Sequence, residues 1–221
     1  MSTIERFGRT RVYRLPDLAA YEAGHDALET GELVAFPTDT VYGLACDLWQ
    51  EKAVARLYEA KERPARLPIP VLVSAEEHVD QVAQNVSPAV YALIKRFWPG
   101  GLTIVLERRE KVPARLVSGG PTIAVRMPDH PVAQQMIERV GGALAVTSAN
   151  RSGQPAATDV AGVIDQLADR IAIVLDGGGC PGGVPSTVVD MASTPPRILR
   201  VGAIGPSALR VVLPDLAAGT E

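Results

Sequence analysis

Leu33-Val34-Ala35-Phe36-Pro37-Thr38-Asp39-Thr40-Val41-Tyr42-Gly43-Leu44 reads as a short strand that ends at Pro37 and runs into a polar turn. The hydroxyls and carboxylate of Thr38, Asp39, Thr40 and Tyr42 crowd the end of that strand, the place where α/β proteins tend to keep ligand-binding groups. The same residues also make a turn capped by its own Thr and Asp side chains, and spacing alone does not separate the two.

Similar runs recur on both sides of this stretch, as PVLV at 70 to 73, LTIVL at 102 to 106, TIAV at 122 to 125, ALAVT at 143 to 147, IAIVL at 171 to 175 and STVV at 186 to 189. Helices fit between several of them. One is predicted from Asp17 to Thr30, stopped by Gly31, and one over 75 to 84 behind a Ser74/Glu77 capping box. Pro88 and Pro131 each open another, and Thr158 is the expected cap of one running to Ala168. The runs at 102 to 106 and 122 to 125 have only a turn-rich connection between them, so a strict βαβ repeat is excluded. A twisted mixed sheet flanked by helices is the α/β architecture that remains. Residues 12 to 205 are read as one domain, with tails at 1 to 11 and 206 to 221.

The 221 residues are 47% apolar and 21% charged, enough for a buried core and incompatible with disorder. A net charge of −3 makes no global demand for a nucleic-acid or anionic-membrane partner. Eighteen of the 22 cations are arginine, whose planar fork suits carboxylate and phosphate, although a GC-rich genome would produce the same bias. Cys46 and Cys180 belong to no ligand spacing, so neither a disulfide framework nor a structural zinc site is expected. The N-terminus lacks a signal-peptide core, and no apolar run approaches the roughly 20 residues of a bilayer span. A cytoplasmic location follows as the expectation.

Phosphate-loop, HExxH and GxSxG motifs are missing from the sequence. A formal GxGxxG at Gly177, Gly179 and Gly182 contains Pro181 and is followed by the strand-like STVV rather than a helix, so it reads as a flexible loop. In the helix expected over 51 to 62, Lys61 shares the inward face of Val54, Leu57 and Tyr58. A lysine there needs an anion or a water-filled cavity, unless it snorkels to the helix end. Pro64 turns the chain so that Arg63 and Arg66 leave the helix, which gathers cations for a phosphate clamp. Arg126 closes an apolar strand and either pairs with an internal acid such as Asp129 or binds an anion. Hydroxyls at Ser148 and Ser186 repeat the theme of small polar groups at strand ends, and together these signals suggest a composite pocket.

FPTDTVYGLACD, KERP, FWPGGLTIVL, IAVRMPDHP, TSANRSGQPAATD, GGVPSTVVD and ILRVGAI occur in that order over residues 33 to 204. This series resembles the YrdC-like family of threonylcarbamoyl-AMP synthases. The resemblance implies a single domain with a large, concave, positively charged cavity. It also implies a reaction in which L-threonine, bicarbonate and ATP give threonylcarbamoyl-adenylate and pyrophosphate. That product supplies a partner transferase complex that modifies the adenosine next to tRNA anticodons, which makes tRNA a further candidate partner. By resemblance, Thr40, Arg126, Ser148 and Ser186 hold the amino acid. Arg63, Thr122, Asn150, Thr158 and Arg200 hold the nucleotide, and Lys61 with Arg63 forms the catalytic pair at the phosphates. Magnesium comes with ATP and is held mainly by phosphates and water, with no protein metal site.

Two positions depart from the family pattern. Leu72 or Val73 stands where many long members have histidine, and Gly101 replaces a usual proline. The chain ends about 20 residues after Arg200, so it resembles the short form without the second domain of long members. The competing reading is an RNA-binding paralogue without synthase activity, which the ten aromatic residues support poorly. A carbamoyl-transfer domain of the hydrogenase-maturation type fits less well, since those domains sit in longer chains with zinc-finger-like cysteines.

Overall fold

A computed structural model describes residues 4–217. The chain opens with the hairpin β1 (Ile4–Phe7) and β2 (Thr10–Arg14), followed by α1 (Leu18–Glu29). The antiparallel pair β3 (Val34–Pro37) and β4 (Tyr42–Cys46) comes next, and α2 (Glu51–Ala60) leads to β5 (Val71–Val73). Then come α3 (Val79–Val82), α4 (Pro88–Phe97), β6 (Leu102–Glu107), β7 (Thr122–Arg126), α5 (Pro131–Arg139) and β8 (Ala143–Ser148). The helix α6 (Val160–Leu167), strands β9 (Ile173–Asp176), β10 (Thr187–Asp190) and β11 (Arg197–Arg200), and the short α7 (Pro206–Arg210) complete the order.

Eleven strands form one sheet, ordered β1-β2-β9-β3-β4-β8-β5-β7-β6-β10-β11. Neighbours β2/β9, β9/β3, β5/β7 and β6/β10 are parallel and the rest antiparallel, which is the mixed α/β sheet expected from the sequence. Successive residues of β3 serve opposite faces, as a pleated strand requires. Val34 and Phe36 join Tyr21, Leu28, Met136 and Ile137, so α1 and α5 cover one face. Ala35 belongs to the other core with Leu44, Leu57, Leu93 and Leu167, under α2, α4 and α6. Burying a side chain such as Phe36 or Leu57 completely contributes about 1.5–3 kcal/mol.

Several local expectations are corrected. Asp159, not Thr158, caps α6, accepting from Gly162 N at 2.8 Å. The carboxylate is the stronger acceptor for an orphan helix N–H. The segment 75 to 84 is a 3₁₀ turn (Glu76–His78) and then α3, not one helix. Its intended cap is spent elsewhere, since Ser74 Oγ donates to Glu138 on α5 at 2.7 Å. Asp17 does cap α1, and Pro88 and Pro131 occupy first turns as expected. The stretches read as tails also carry structure, namely β1 and the buried Leu209, Leu213 and Leu216. Among the described residues no helix is long and apolar enough to cross a membrane.

Candidate active site

A cavity of about 640 Å³ runs across the strands from β4 to β11. Strand register explains its lining. Val188 of β10 lies opposite Arg200 of β11 and Thr103 of β6, Val105 opposite Ala124, and Leu72 of β5 opposite Arg126 of β7. Alternation then turns Thr122, Ala124 and Arg126 towards the same side, where Ser186, Val188, Leu199 and Arg200 meet them. The turn before β4 adds Thr38 and Thr40, and the end of β8 adds Thr147 and Ser148. Arg126 and Arg200 are the charged residues of the described lining.

Arg126 is fixed from behind. Its Nη2 pairs with Asp39 Oδ2 at 2.5 Å and its Nε donates to Gly100 O at 2.9 Å. The internal acid that pairs with it is Asp39 rather than Asp129, the example nearest in sequence. Asp39 lies in the polar turn, 87 residues away in sequence, and the register of the sheet brings it there. Burial pushes the Arg126 guanidinium below its ordinary pKa, Asp39 opposes that, and the charge of Arg200 adds to it. Arg200 is anchored on Ser186, donating to its carbonyl at 2.8 Å and its hydroxyl at 3.1 Å. Thr103 Oγ1 lies 2.8 Å from the same hydroxyl, so three side chains share one polar node.

Lys61, the C-cap of α2, is buried, as the helical spacing implied. Its ammonium does not snorkel to the helix end. The ammonium donates to the carbonyls of Ser148 and Asn150, the second at 2.5 Å, and lies 3.4 Å from Asn150 Oδ1. Backbone dipoles thus replace water around a charge that would cost several kcal/mol to bury bare. Burial, and then the charge of Arg63, bring its pKa down to about 7. Asn150 is also committed, donating to Arg151 O and Gln154 O at 2.8 and 2.7 Å. Arg63 folds back on its own loop, donating to Leu67 O at 3.2 Å and Pro68 O at 2.9 Å.

The Gly177–Ser186 loop closes one side, with Gly183, Pro185 and Ser186 on the cavity. It lacks regular structure up to β10, and Gly178, Gly182 and Gly183 have positive φ that side chains rarely adopt. Tyr42 Oη donates to Gly178 O at 2.7 Å, and Cys180 N donates to Thr158 O at 2.7 Å. Cys46 and Cys180 are both free thiols.

Of the residues singled out in the sequence, Thr40, Thr122, Arg126, Ser148, Ser186 and Arg200 share the cavity lining. Lys61 and Asn150 lie behind it at the end of β8, Arg63 behind Pro68, and Thr158 under the glycine loop. Sequence reasoning missed Thr103 and the partnership of Asp39. A single hydroxyl inside the apolar LTIVL run was the available signal for Thr103.

A family model described as "Telomere recombination" (Sua5_yciO_yrdC) matches residues 26–202. A Pyrococcus abyssi protein named threonylcarbamoyl-AMP synthase is 40% identical over 189 residues, covering 86% of this chain and 56% of its own. A Bacillus subtilis protein of the same name is 39% identical over 187 residues, covering 84% and 54%. The chain therefore spans about half the length of these relatives. The solved structure of P. abyssi Sua5 complexed with L-threonine superposes with a TM-score of 0.88 at 36% identity, covering 95% of this chain and 62% of that one. Sequence order, sheet topology and these matches together mean that the chain belongs to the Sua5/YciO/YrdC family.

Proposed function

We propose that this chain is a threonylcarbamoyl-AMP synthase domain acting in the cytoplasm on L-threonine, bicarbonate and ATP. The observation that carries the reading is the single cavity lined by Thr40, Thr122, Arg126, Ser148, Ser186 and Arg200, in a fold shared with a protein solved with L-threonine. Threonine's amine and bicarbonate form a carbamate with loss of water. A carbamate oxygen then attacks the α-phosphorus of ATP, forming a P–O bond as the α–β P–O bond breaks and pyrophosphate leaves. Positioning and neutralisation of charge dominate such a step. Arg126, with Thr40, Ser148 and Ser186, is suited to the amino acid. Arg200, Arg63, Thr122, Asn150 and Thr158 are assigned to the nucleotide, and Lys61 with Arg63 is assigned to its phosphates. The described lining offers hydroxyls and the two arginines, and magnesium is assigned to the phosphates and water rather than to a protein cage. The adenylate then passes to the transferase complex that modifies tRNA.

The test is purified protein with ATP, L-threonine, bicarbonate and magnesium, following pyrophosphate and the adenylate. Threonine-dependent product supports the proposal, and Lys61→Ala and Arg63→Ala are each expected to cut turnover at least tenfold in folded protein. Full activity in both variants would discard the phosphate role. A catalytically silent protein with tight, salt-dependent tRNA binding would replace the synthase by an RNA-binding reading.

A further inference from the structure

The Arg126 end of the cavity poses a problem of selectivity. If the proposed function holds, the same cavity must take an amino-acid carboxylate and a triphosphate without exchanging them. Arg126 and Arg200 line it together, and the charge of Arg200 is felt at Arg126. Two guanidiniums alone would make a doubly charged anion trap, better matched to phosphate than to carboxylate.

Asp39 alters that count. Its Oδ2 takes Nη2 of Arg126, while Gly100 O takes Nε. Both contacts leave Nη1 without a protein acceptor among the described residues, so one edge of the guanidinium stays available to a ligand. The pair is largely withdrawn from water, with side-chain exposures of 12% for Arg126 and 18% for Asp39, so its charges are weakly screened. His130 lies near enough to feel Asp39, but burial holds its imidazole below the ordinary value, so it adds no positive charge at neutral pH. Asp39 then offsets the charge of Arg126, so that of the two guanidiniums on the cavity Arg200, assigned to the nucleotide, is the one that keeps its full positive charge. Among the described residues Asp39 Oδ1 is buried without a hydrogen-bond partner, so the carboxylate is held there by Arg126 rather than by a network of its own.

We propose that Asp39 is a positioning and specificity-determining residue that orients Arg126 and sets the charge of its subsite, so that this end of the cavity takes a singly charged carboxylate and rejects phosphate groups. This rests on the synthase reading for the identity of the amino acid but not for the charge effect.

Calorimetric titration of the full chain with inorganic phosphate and, separately, with L-threonine tests it. In the native protein phosphate does not displace L-threonine. Asp39→Asn, which keeps the shape and removes the charge, raises phosphate affinity at least tenfold and shifts the phosphate-to-threonine affinity ratio by the same factor or more. In an Arg126→Met background the same change has no effect on phosphate, which separates this subsite from other phosphate contacts. Asp39→Ser gives the same direction should the asparagine variant fail to fold. Phosphate affinity unchanged within twofold, a gain that persists without Arg126, or competition between phosphate and L-threonine in the native protein overturns the proposal. Absence of L-threonine binding with the phosphate response intact would instead count against the synthase reading alone.

Discussion

Lys61, buried behind the cavity at the end of β8, and Arg126, largely buried on its lining, are two cations that the fold compensates differently. Among the described residues Lys61 meets backbone carbonyls and no carboxylate, whereas Arg126 meets the carboxylate of Asp39. Burial, and then the charge of Arg63, bring the Lys61 pKa down to about 7, and the carbonyl dipoles that accept from the ammonium offset this only in part. A guanidinium keeps its charge far above neutral pH even when burial lowers its pKa, and Asp39 opposes the lowering. One cation is thus sensitive to pH and the other to mutation.

The mutational side should give the larger effect. Arg126→Met leaves Asp39 partly buried without its cation, and removing one member of a buried pair costs about 3–5 kcal/mol. Water reaches both side chains at their 12% and 18% exposure, so about 3 kcal/mol is expected. Urea unfolding measures it, and adding Asp39→Asn should recover much of the loss. A double variant no more stable than Arg126→Met would mean that the pair contributes packing rather than charge compensation.

The pH side concerns Lys61. Its folded pKa lies below the unfolded value, so between pH 7 and about 10 the unfolded chain binds more protons and stability rises with pH. The contribution has a slope of up to about 1.4 kcal/mol per pH unit. Comparing unfolding free energies at pH 7 and 9 for the native chain and Lys61→Met reads it. The native increment should exceed that of the variant, and equal increments would show that the carbonyls hold the proton as firmly as water does.

The same contrast shows what a sequence exposes. Lys61 was legible because α2 has a period that places it on the face of Val54, Leu57 and Tyr58, yet its acceptors are main-chain atoms that no side-chain pattern marks. The mixed sheet was legible from the short apolar runs. β1 and β11 were not, because Ile4–Phe7 is exposed throughout and Arg197–Arg200 buries only Ile198. β4 was hidden because its YGLAC run is buried on both faces and carries no alternation. Asp39 was visible as a turn residue, but its partner depended on the placement of β7, and Asp129 was merely nearer in sequence.

The glycine loop offers the smallest test and extends the contrast to a wall without charge. Tyr42→Phe deletes the hydroxyl that donates to Gly178 O at 2.7 Å and leaves the ring in the core. A hydrogen bond of this kind contributes about 1 kcal/mol, so the chain should remain folded with a slightly lower melting temperature. Burial pushes the tyrosine pKa up, so the hydroxyl stays protonated and the contact should not vary across neutral pH, unlike that of Lys61. Gly178, Gly182 and Gly183 supply backbone freedom in the same loop, so losing this contact should raise amide hydrogen exchange from 178 to 186 while β10 stays protected. Unchanged exchange in the loop would mean that its hold comes from Cys180 N on Thr158 O and Ala203 N on Pro185 O instead, and that Tyr42 is a cavity wall and nothing more.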